Sequence, residues 1–244
     1  MKSTFIKLLA GLSLLSVPAL GVVPAGAATL QPITGGNVPQ YAPNLDGWSN
    51  LAIVDTNSPI SGSGFLTSWS FFAGGTGSVE LLVVRPSTTG FTSTTASNQI
   101  VYVSQAVNVA TTGVVVTETL PNVWVQQGDY VGLYFVESKG VVPFTGCNCV
   151  GSTGSVYYTA PDSTSPSLVA VGNFLTYGTG TGTQAQGGAV SRVYSFSVSG
   201  VSFAGADCKG GGYSSYFSNQ GACVSFFASN GYVPIGSVNS SWNQ

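Results

Sequence analysis

The sequence has no histidine, one methionine and few charged residues, six basic and eight acidic among 244. The absence of histidine excludes Ser-His-Asp and Cys-His triads, histidine metal sites and an imidazole general base. Six basic residues are too few for the positive surface with which proteins bind nucleic acid. Hydrophobic residues at 43% and aromatic residues at 11% suffice for a packed core, so the low charge does not indicate disorder.

Residues 1–27 have the pattern of a secretory signal peptide. Lys2 and Lys7 precede an apolar run from Leu8 to Val23, and the small residues Ala25-Gly26-Ala27 follow it. No later stretch approaches the roughly 20 apolar residues that span a bilayer. The sequence therefore predicts a secreted, extracellular protein that does not insert into a membrane after signal cleavage.

The remaining chain predicts an all-β fold, an antiparallel β-sandwich of jelly-roll type. Residues 28–46 are rich in proline, glycine and asparagine and predict a lead-in linker, and residues 47–203 predict the sandwich. Residues 204–244 predict a small disulfide-stapled appendage with a flexible tail. No window shows a clear helical period apart from the signal peptide. The predicted strands are Leu51–Asp55, Phe65–Phe72, Val79–Arg85, Gln99–Val109, Val114–Leu120, Val123–Gln126, Asp129–Glu137, Ser155–Thr159, Ser167–Val171 and Val190–Phe203.

Alternation of apolar and polar residues predicts which side of a strand is buried. In Phe65–Phe72, strict alternation puts Phe65, Trp69 and Phe71 on one face, with Ser68 and Ser70 on the other. In Val190–Phe203, serines alternate with Tyr194 and other apolar residues. Such strands are half-buried and antiparallel.

Four cysteines allow three pairings and fit an exported protein. A bridge between Cys208 and Cys223 would close a glycine-rich loop of about 15 residues, worth on the order of 3 kcal/mol. Cys147 and Cys149 form a Cys-x-Cys pair, for which we expect a structural role. They either staple a loop or reach Cys208 and Cys223.

Two segments resemble known proteins. The segment from Cys208-Lys209 and Gly211-Gly212-Tyr213 to Phe217-x-Asn219-Gln220-Gly221-x-Cys223-Val224 resembles a C-terminal segment, CKxGGW…FxNQGxCV, of many exported bacterial proteins. It implies bacterial secretion and a small disulfide-stapled unit without assigned chemistry. The stretches Gly62–Phe72 and Val125–Phe135 are similar to secreted jelly-roll modules of poorly defined function.

Acidic residues offer little for catalysis or for metal binding. A glycosidase needs two carboxylates that face one cleft, and Glu80 and Glu118 are the best candidates. No spacing pairs them, so we expect no enzyme, and a glycan-active enzyme stays an alternative. Asp129, in the Gln127-Gly128-Asp129 turn, is a candidate calcium ligand, but calcium needs several clustered oxygens. We therefore expect no cofactor.

Aromatic residues favour a binding role. Carbohydrate-binding sandwiches stack flat rings on sugars and add a few polar groups. Asp46 and Trp48 in a turn, and the adjacent Tyr157 and Tyr158, are the candidate ligand-binding residues. We expect a non-catalytic module whose partner is an extracellular glycan or another surface component. The alternative is a structural or adhesion component of an extracellular matrix, which a long unpaired sheet edge would favour.

Overall fold

The computed structural model describes residues 30–86, 97–147, 156–159, 169–176, 189–209 and 211–229. The predicted signal peptide, the C-terminal tail and Cys149 lie outside these ranges, and so does the side chain of Cys147. Within them no helix is both long and apolar enough to cross a bilayer.

Two antiparallel sheets form a sandwich, as the alternation of apolar residues predicts. Their thirteen strands are β1 Pro32–Gly36, β2 Leu51–Asp55, β3 Gly64–Ala73, β4 Gly77–Pro86, β5 Ser97–Val103, β6 Val107–Val109, β7 Val114–Val125, β8 Tyr130–Phe135, β9 Phe144–Cys147, β10 Val156–Thr159, β11 Phe174–Thr176, β12 Ala189–Tyr194 and β13 Phe196–Ser202. The small sheet has four strands in the order β1-β13-β3-β7. The large sheet has nine, in the order β11-β5-β4-β8-β2-β10-β12-β9, with β6 paired to β4.

The main core lies between the two sheets. Trp69 and Phe71 of the small sheet stack at 4.8 Å and are almost fully buried. The large sheet contributes Leu81, Leu133 and other aliphatic side chains to the same cluster. Burial at about 25 cal/mol per Å² of apolar surface makes this core the main source of stability.

The first strand lies inside the segment 28–46, for which the sequence predicts a linker. Pro32–Gly36 pairs with β13, and Ile33 is buried in the main core. This strand has only five residues, and one apolar side chain of the five points inward. Its composition resembles that of a loop, so no local sequence pattern predicts the strand.

Other strand predictions need correction. The predicted strands Val114–Leu120 and Val123–Gln126 are one strand, β7, which runs through Pro121. The predicted strand Gln99–Val109 is two strands, separated at residues 104–106. Where Ser167–Val171 was predicted, the described residues 169–171 form a bend and turn. Proline and short polar interruptions break an alternation pattern without always ending a strand.

A β-bulge at Thr67 changes which face the residues of β3 occupy. Leu66 pairs with Gly200 and Ser68 with Ser199, so Thr67 has no partner on β13. The extra residue reverses the alternation. Leu66 therefore joins Trp69 and Phe71 in the main core, whereas Phe65 lies on the opposite face. The prediction that Phe65 shares a face with Trp69 is wrong for this reason.

The C-terminal unit, residues 204–229, packs on the outer face of the small sheet. It consists of two short 3₁₀ turns, Gly205–Cys208 and Gly212–Ser215, and the helix α1, Gln220–Ala228, and the disulfide Cys208–Cys223 joins the first turn to the helix. This bridge confirms the disulfide-stapled appendage and excludes a pairing of either cysteine with the Cys-x-Cys pair. The side chain of Asn219 caps the helix by accepting a hydrogen bond from the Ala222 N–H at 2.8 Å.

Aromatic rings form the contact between the C-terminal unit and the sheet. Tyr216 stacks on Phe65 with ring centroids 4.6 Å apart and planes 6° from parallel. Phe226 meets Trp124 edge to face at 5.0 Å. We call this the aromatic cluster; it also contains Phe203, Phe217 and Phe227.

Candidate functional site

Asp46, a predicted ligand-binding residue, lies in a buried polar cluster. Its carboxylate forms an ion pair with Arg192 and accepts a hydrogen bond from the Tyr194 hydroxyl at 2.6 Å. Arg192 also donates to the Tyr194 oxygen at 2.8 Å and lies 4.3 Å from the centre of the Phe144 ring. Asp46 is only 7% exposed, so its carboxylate is held inside the protein and is not presented to solvent.

The Tyr194 phenol stays protonated in this cluster. Burial raises its pKa well above the usual value, and the nearby charge of Asp46 raises it further. The hydroxyl can therefore act as a donor to Asp46 and an acceptor from Arg192 at the same time. The buried charge pair holds its side chains in one arrangement, because any movement that separates the two charges leaves each of them buried and unpaired.

This cluster fixes a segment that displays several exposed apolar side chains. We call residues 38–48 the aromatic segment. Its exposed large side chains are Val38, Tyr41, Leu45 and Trp48, of which Tyr41 is 74% and Trp48 56% exposed. Tyr41 makes an edge-to-face contact with Phe72 of β3, with centroids 6.2 Å apart.

Backbone hydrogen bonds hold the aromatic segment at several points. Asn44 and Phe144 exchange both of their backbone hydrogen bonds, at 3.0 and 3.3 Å. The Gly140 N–H donates to the Asp46 carbonyl at 2.9 Å. The segment is thus ordered before any ligand binds, and ordering it costs little on binding.

A groove lies where the start of this segment passes strands β9 and β12. It encloses about 520 Å³ and is lined by Gly36, Asn37, Val38, Gln40, Thr145 and Val193, together with Tyr194 and Ser195. The described part of the lining mixes amide, hydroxyl and small apolar groups without a charged side chain. Such a lining suits an uncharged polar ligand.

Asn37 connects the groove to a buried carboxylate. Its side-chain amide donates to Asp55 and, at 3.2 Å, to the Tyr194 carbonyl. Asp55 also accepts a hydrogen bond from the Asn57 N–H at 2.9 Å. Burial raises the pKa of Asp55, although these hydrogen bonds oppose the rise. Asn37 therefore has a fixed orientation at the edge of the groove.

The other predicted ligand-binding residues, Tyr157 and Tyr158, are on β10. Their backbones pair with Val54 and Ile53 of β2. Their side chains lie outside the described residues.

The acidic residues considered for catalysis are far from one another in the fold. Glu80 is on β4 of the large sheet, opposite Tyr134, which belongs to a cluster on the outer face of that sheet. Burial raises the pKa of Glu80. Glu118 is on β7 of the small sheet, opposite Trp69 of the main core. The two carboxylates therefore do not face a common cleft.

Asp129, the candidate calcium ligand, is engaged by protein groups. Arg85 donates to both of its carboxylate oxygens, at 2.9 and 3.0 Å, and the Gln126 N–H donates at 2.8 Å. Asp129 thus fixes the turn between β7 and β8. Among the described residues, no three His, Cys, Asp or Glu side chains are grouped as a metal ion would need.

Comparison of the chain with protein-family models, with curated proteins and with solved structures finds no match. Its function must therefore be argued from its own residues. Trp48 stays a prediction as a ligand-binding residue, and sequence reasoning did not point to Tyr41, Asn37 or the groove. A proline-rich segment with one tyrosine looks like a linker until its contacts with β3 and β9 are known.

Proposed function

We propose that this protein is a secreted, non-catalytic module that binds carbohydrate outside the cell through the aromatic segment and the adjoining groove. The observation that carries the proposal is the exposure of Tyr41 and Trp48 on a segment anchored by a buried ion pair. Exposed rings on a rigid support can stack on sugar faces without first losing conformational freedom.

The groove supplies the polar groups that carbohydrate recognition needs. Gln40 and Thr145 offer an amide and a hydroxyl group beside the apolar Val38 and Val193, whereas the Asn37 amide is held by hydrogen bonds within the protein. An uncharged ligand with many hydroxyl groups fits this lining better than an ionic one. The low overall charge, net −2 in the full sequence, is consistent with a neutral ligand.

The alternative, a structural or adhesion component that assembles through sheet edges, has weaker support. Strand β7 forms one edge of the small sheet and is twelve residues long. It carries Glu118, on the side of the sheet that faces the core, and Pro121. A charge on the inward side and a proline are two means by which proteins prevent edge strands from pairing. The edge is therefore built against lateral assembly.

The test is glycan binding by protein purified from the culture medium of an expressing bacterium. A glycan array identifies a ligand, and calorimetry then compares wild type with Tyr41→Ala and Trp48→Ala. We expect each substitution to weaken binding about tenfold, since a stacked ring contributes on the order of 1 kcal/mol or more.

The matched control is Phe174→Ala, because Phe174 is also a large exposed ring, 54% exposed, but lies on β11 of the large sheet. We expect it to bind as wild type does. If wild type binds no glycan, the proposal is wrong. If the control loses binding and the other two variants do not, the site is on the large sheet instead.

A further inference from the structure

The outer face of the small sheet carries a regular set of hydroxyl groups. On each strand these residues alternate with inward-facing ones: Ser68 and Ser70 flank the buried Trp69, and Ser197 and Ser199 flank the buried Val198. We call the seven outward-facing side chains the hydroxyl array: Thr34 on β1, Ser197 and Ser199 on β13, Ser68 and Ser70 on β3, and Thr117 and Thr119 on β7.

The strand register aligns these residues in two rows across the sheet. One row runs Thr34, Ser199, Ser68, Thr119. The other runs Gly36, Ser197, Ser70, Thr117. Neighbouring strands in a sheet are about 4.8 Å apart, and residues two apart on a strand are separated by roughly 7 Å. The array therefore has a two-dimensional repeat.

Hydrogen bonds within the array hold its side chains in place. The Ser68 and Ser199 hydroxyls are 2.7 Å apart, and those of Ser70 and Thr117 are 2.8 Å apart. Each hydroxyl keeps further capacity, since it has one donor and two acceptor sites. Four of the seven groups are thus oriented in advance, and they have little rotamer freedom left to lose.

The array carries no charge and meets an aromatic ring at one end. The one charged residue of these four strands, Glu118, pairs with Trp69 and so lies toward the opposite face. Two residues beyond Ser70, Phe72 continues the outer face and contacts the exposed ring of Tyr41. The hydroxyl array thus adjoins the aromatic segment.

Single hydroxyl contacts are weak, because each replaces a hydrogen bond to water. An array of them gives useful affinity only when many form together, which requires a partner that is itself repeating and rigid. We infer that the hydroxyl array and Tyr41 form one binding face for the surface of an insoluble, uncharged polysaccharide. This inference rests on the proposed function and specifies the physical form of carbohydrate that the array recognises, packed chains at a solid surface, while single soluble chains bind through the aromatic segment and the groove.

The experiment measures adsorption to two uncharged solids, microcrystalline cellulose and chitin, beside calorimetry with the matching soluble oligosaccharides. The test variant is Ser70→Ala/Thr117→Val/Thr119→Val, which removes hydroxyls and keeps shape and strand propensity. The control is Thr111→Val/Thr112→Val, which removes two hydroxyls by the same kind of substitution at exposed positions just before β7. A second variant, Thr117→Arg, covers the face with a long charged side chain, and unfolding curves verify that each variant folds.

We expect wild type and the control to adsorb alike to at least one solid. The partition coefficient of the triple variant should fall roughly tenfold or more, and binding of soluble oligosaccharide should be unchanged. Adsorption that survives both array variants but is lost in Tyr41→Ala overturns the inference and leaves the proposed function standing. So does a wild type that binds soluble sugar but neither solid. A wild type that binds neither form overturns both.

Discussion

Both ends of the described chain are fixed to the sandwich, but by different chemistry. The aromatic segment at the N-terminal side is held by one buried ion pair, Asp46 with Arg192, a shared tyrosine and three backbone hydrogen bonds. The C-terminal unit depends on many ring contacts and one disulfide. A polar anchor has few contacts and strict geometry, whereas an aromatic cluster has many contacts that partly replace one another. The first should fail at a single substitution, and the second should weaken by steps.

The largest effect should follow from breaking the polar anchor. Arg192→Met removes the positive partner and leaves the Asp46 carboxylate buried and unpaired, which costs about 3–5 kcal/mol. Chemical denaturation followed by circular dichroism measures the free energy of unfolding.

The double variant Arg192→Met/Asp46→Leu is the control, because it removes both charges. We expect it to recover much of the lost stability, since a buried pair replaced by apolar residues is often neutral. If the double variant is less stable than Arg192→Met, the unpaired charge is not the cause of the loss.

Removal of the disulfide should have the next largest effect, and a local one. Cys208→Ser/Cys223→Ser frees a loop closed over 15 residues and should cost about 3 kcal/mol of the stability of the C-terminal unit. Amide exchange should rise in residues 204–229 and change little in the strands of the main core. Equal acceleration in β3 and β4 would show that the unit and the sandwich unfold together.

A smaller effect should follow from the loss of one ring of the aromatic cluster. Tyr216→Ala removes the ring stacked on Phe65, at a cost of about 1 kcal/mol for the stacking. Phe203 and Phe217 also contact Phe65 and remain. Thermal unfolding measures the melting temperature of this variant. A fall in melting temperature as large as that of Arg192→Met would contradict the stepwise behaviour of the cluster.

The smallest effect should be a change in how the free energy of unfolding depends on pH, caused by a carboxyl near the groove. Burial raises the pKa of Asp55 above its reference value of 3.8, so the folded state binds this proton more tightly than the unfolded state. The resulting stabilisation is complete below the unfolded pKa and is lost as pH rises through the folded pKa. Asp55→Asn keeps a hydrogen-bond acceptor and cannot titrate.

Unfolding free energies of wild type and Asp55→Asn, measured from pH 3 upward, test this prediction. As the pH rises, the free energy of unfolding of wild type should fall relative to that of Asp55→Asn. A constant difference across the range would mean that the folded environment does not shift this carboxyl. Glu80→Gln, at the other carboxyl whose pKa burial raises, serves as a reference for the size of the effect.

The sequence predicts the sandwich well because alternation is a local property. Strand β13 shows its buried face within seven residues, and the Cys208–Cys223 bridge closes a short loop. The bulge at Thr67 was missed because a residue that bulges out of a strand looks in the sequence like any other residue of the strand. The bulge nevertheless reverses which of the residues on either side of it face the core. The helix α1 was missed because nine residues with scattered apolar side chains show no clear period.

The candidate site was only partly predictable. Trp48 was predicted as a ligand-binding residue from its place beside a turn, and the structure leaves its side chain exposed. The burial of Asp46 depends on its ion pair with Arg192, which lies 146 residues further along the chain, and no local sequence pattern indicates such a contact. The hydroxyl array was visible only as serines that face solvent. Its rows depend on the register of four strands, which the sequence does not reveal.

The residues that the sandwich contributes to the aromatic cluster also constrain the order of folding. Phe65, Trp124 and Phe203 come from distant parts of the chain and meet only after β3, β7 and β13 have paired. Contacts between residues far apart in sequence form late, because each requires closure of a long loop. The C-terminal unit consequently has nothing to dock on until the small sheet exists. We expect its amides to gain protection after those of β3.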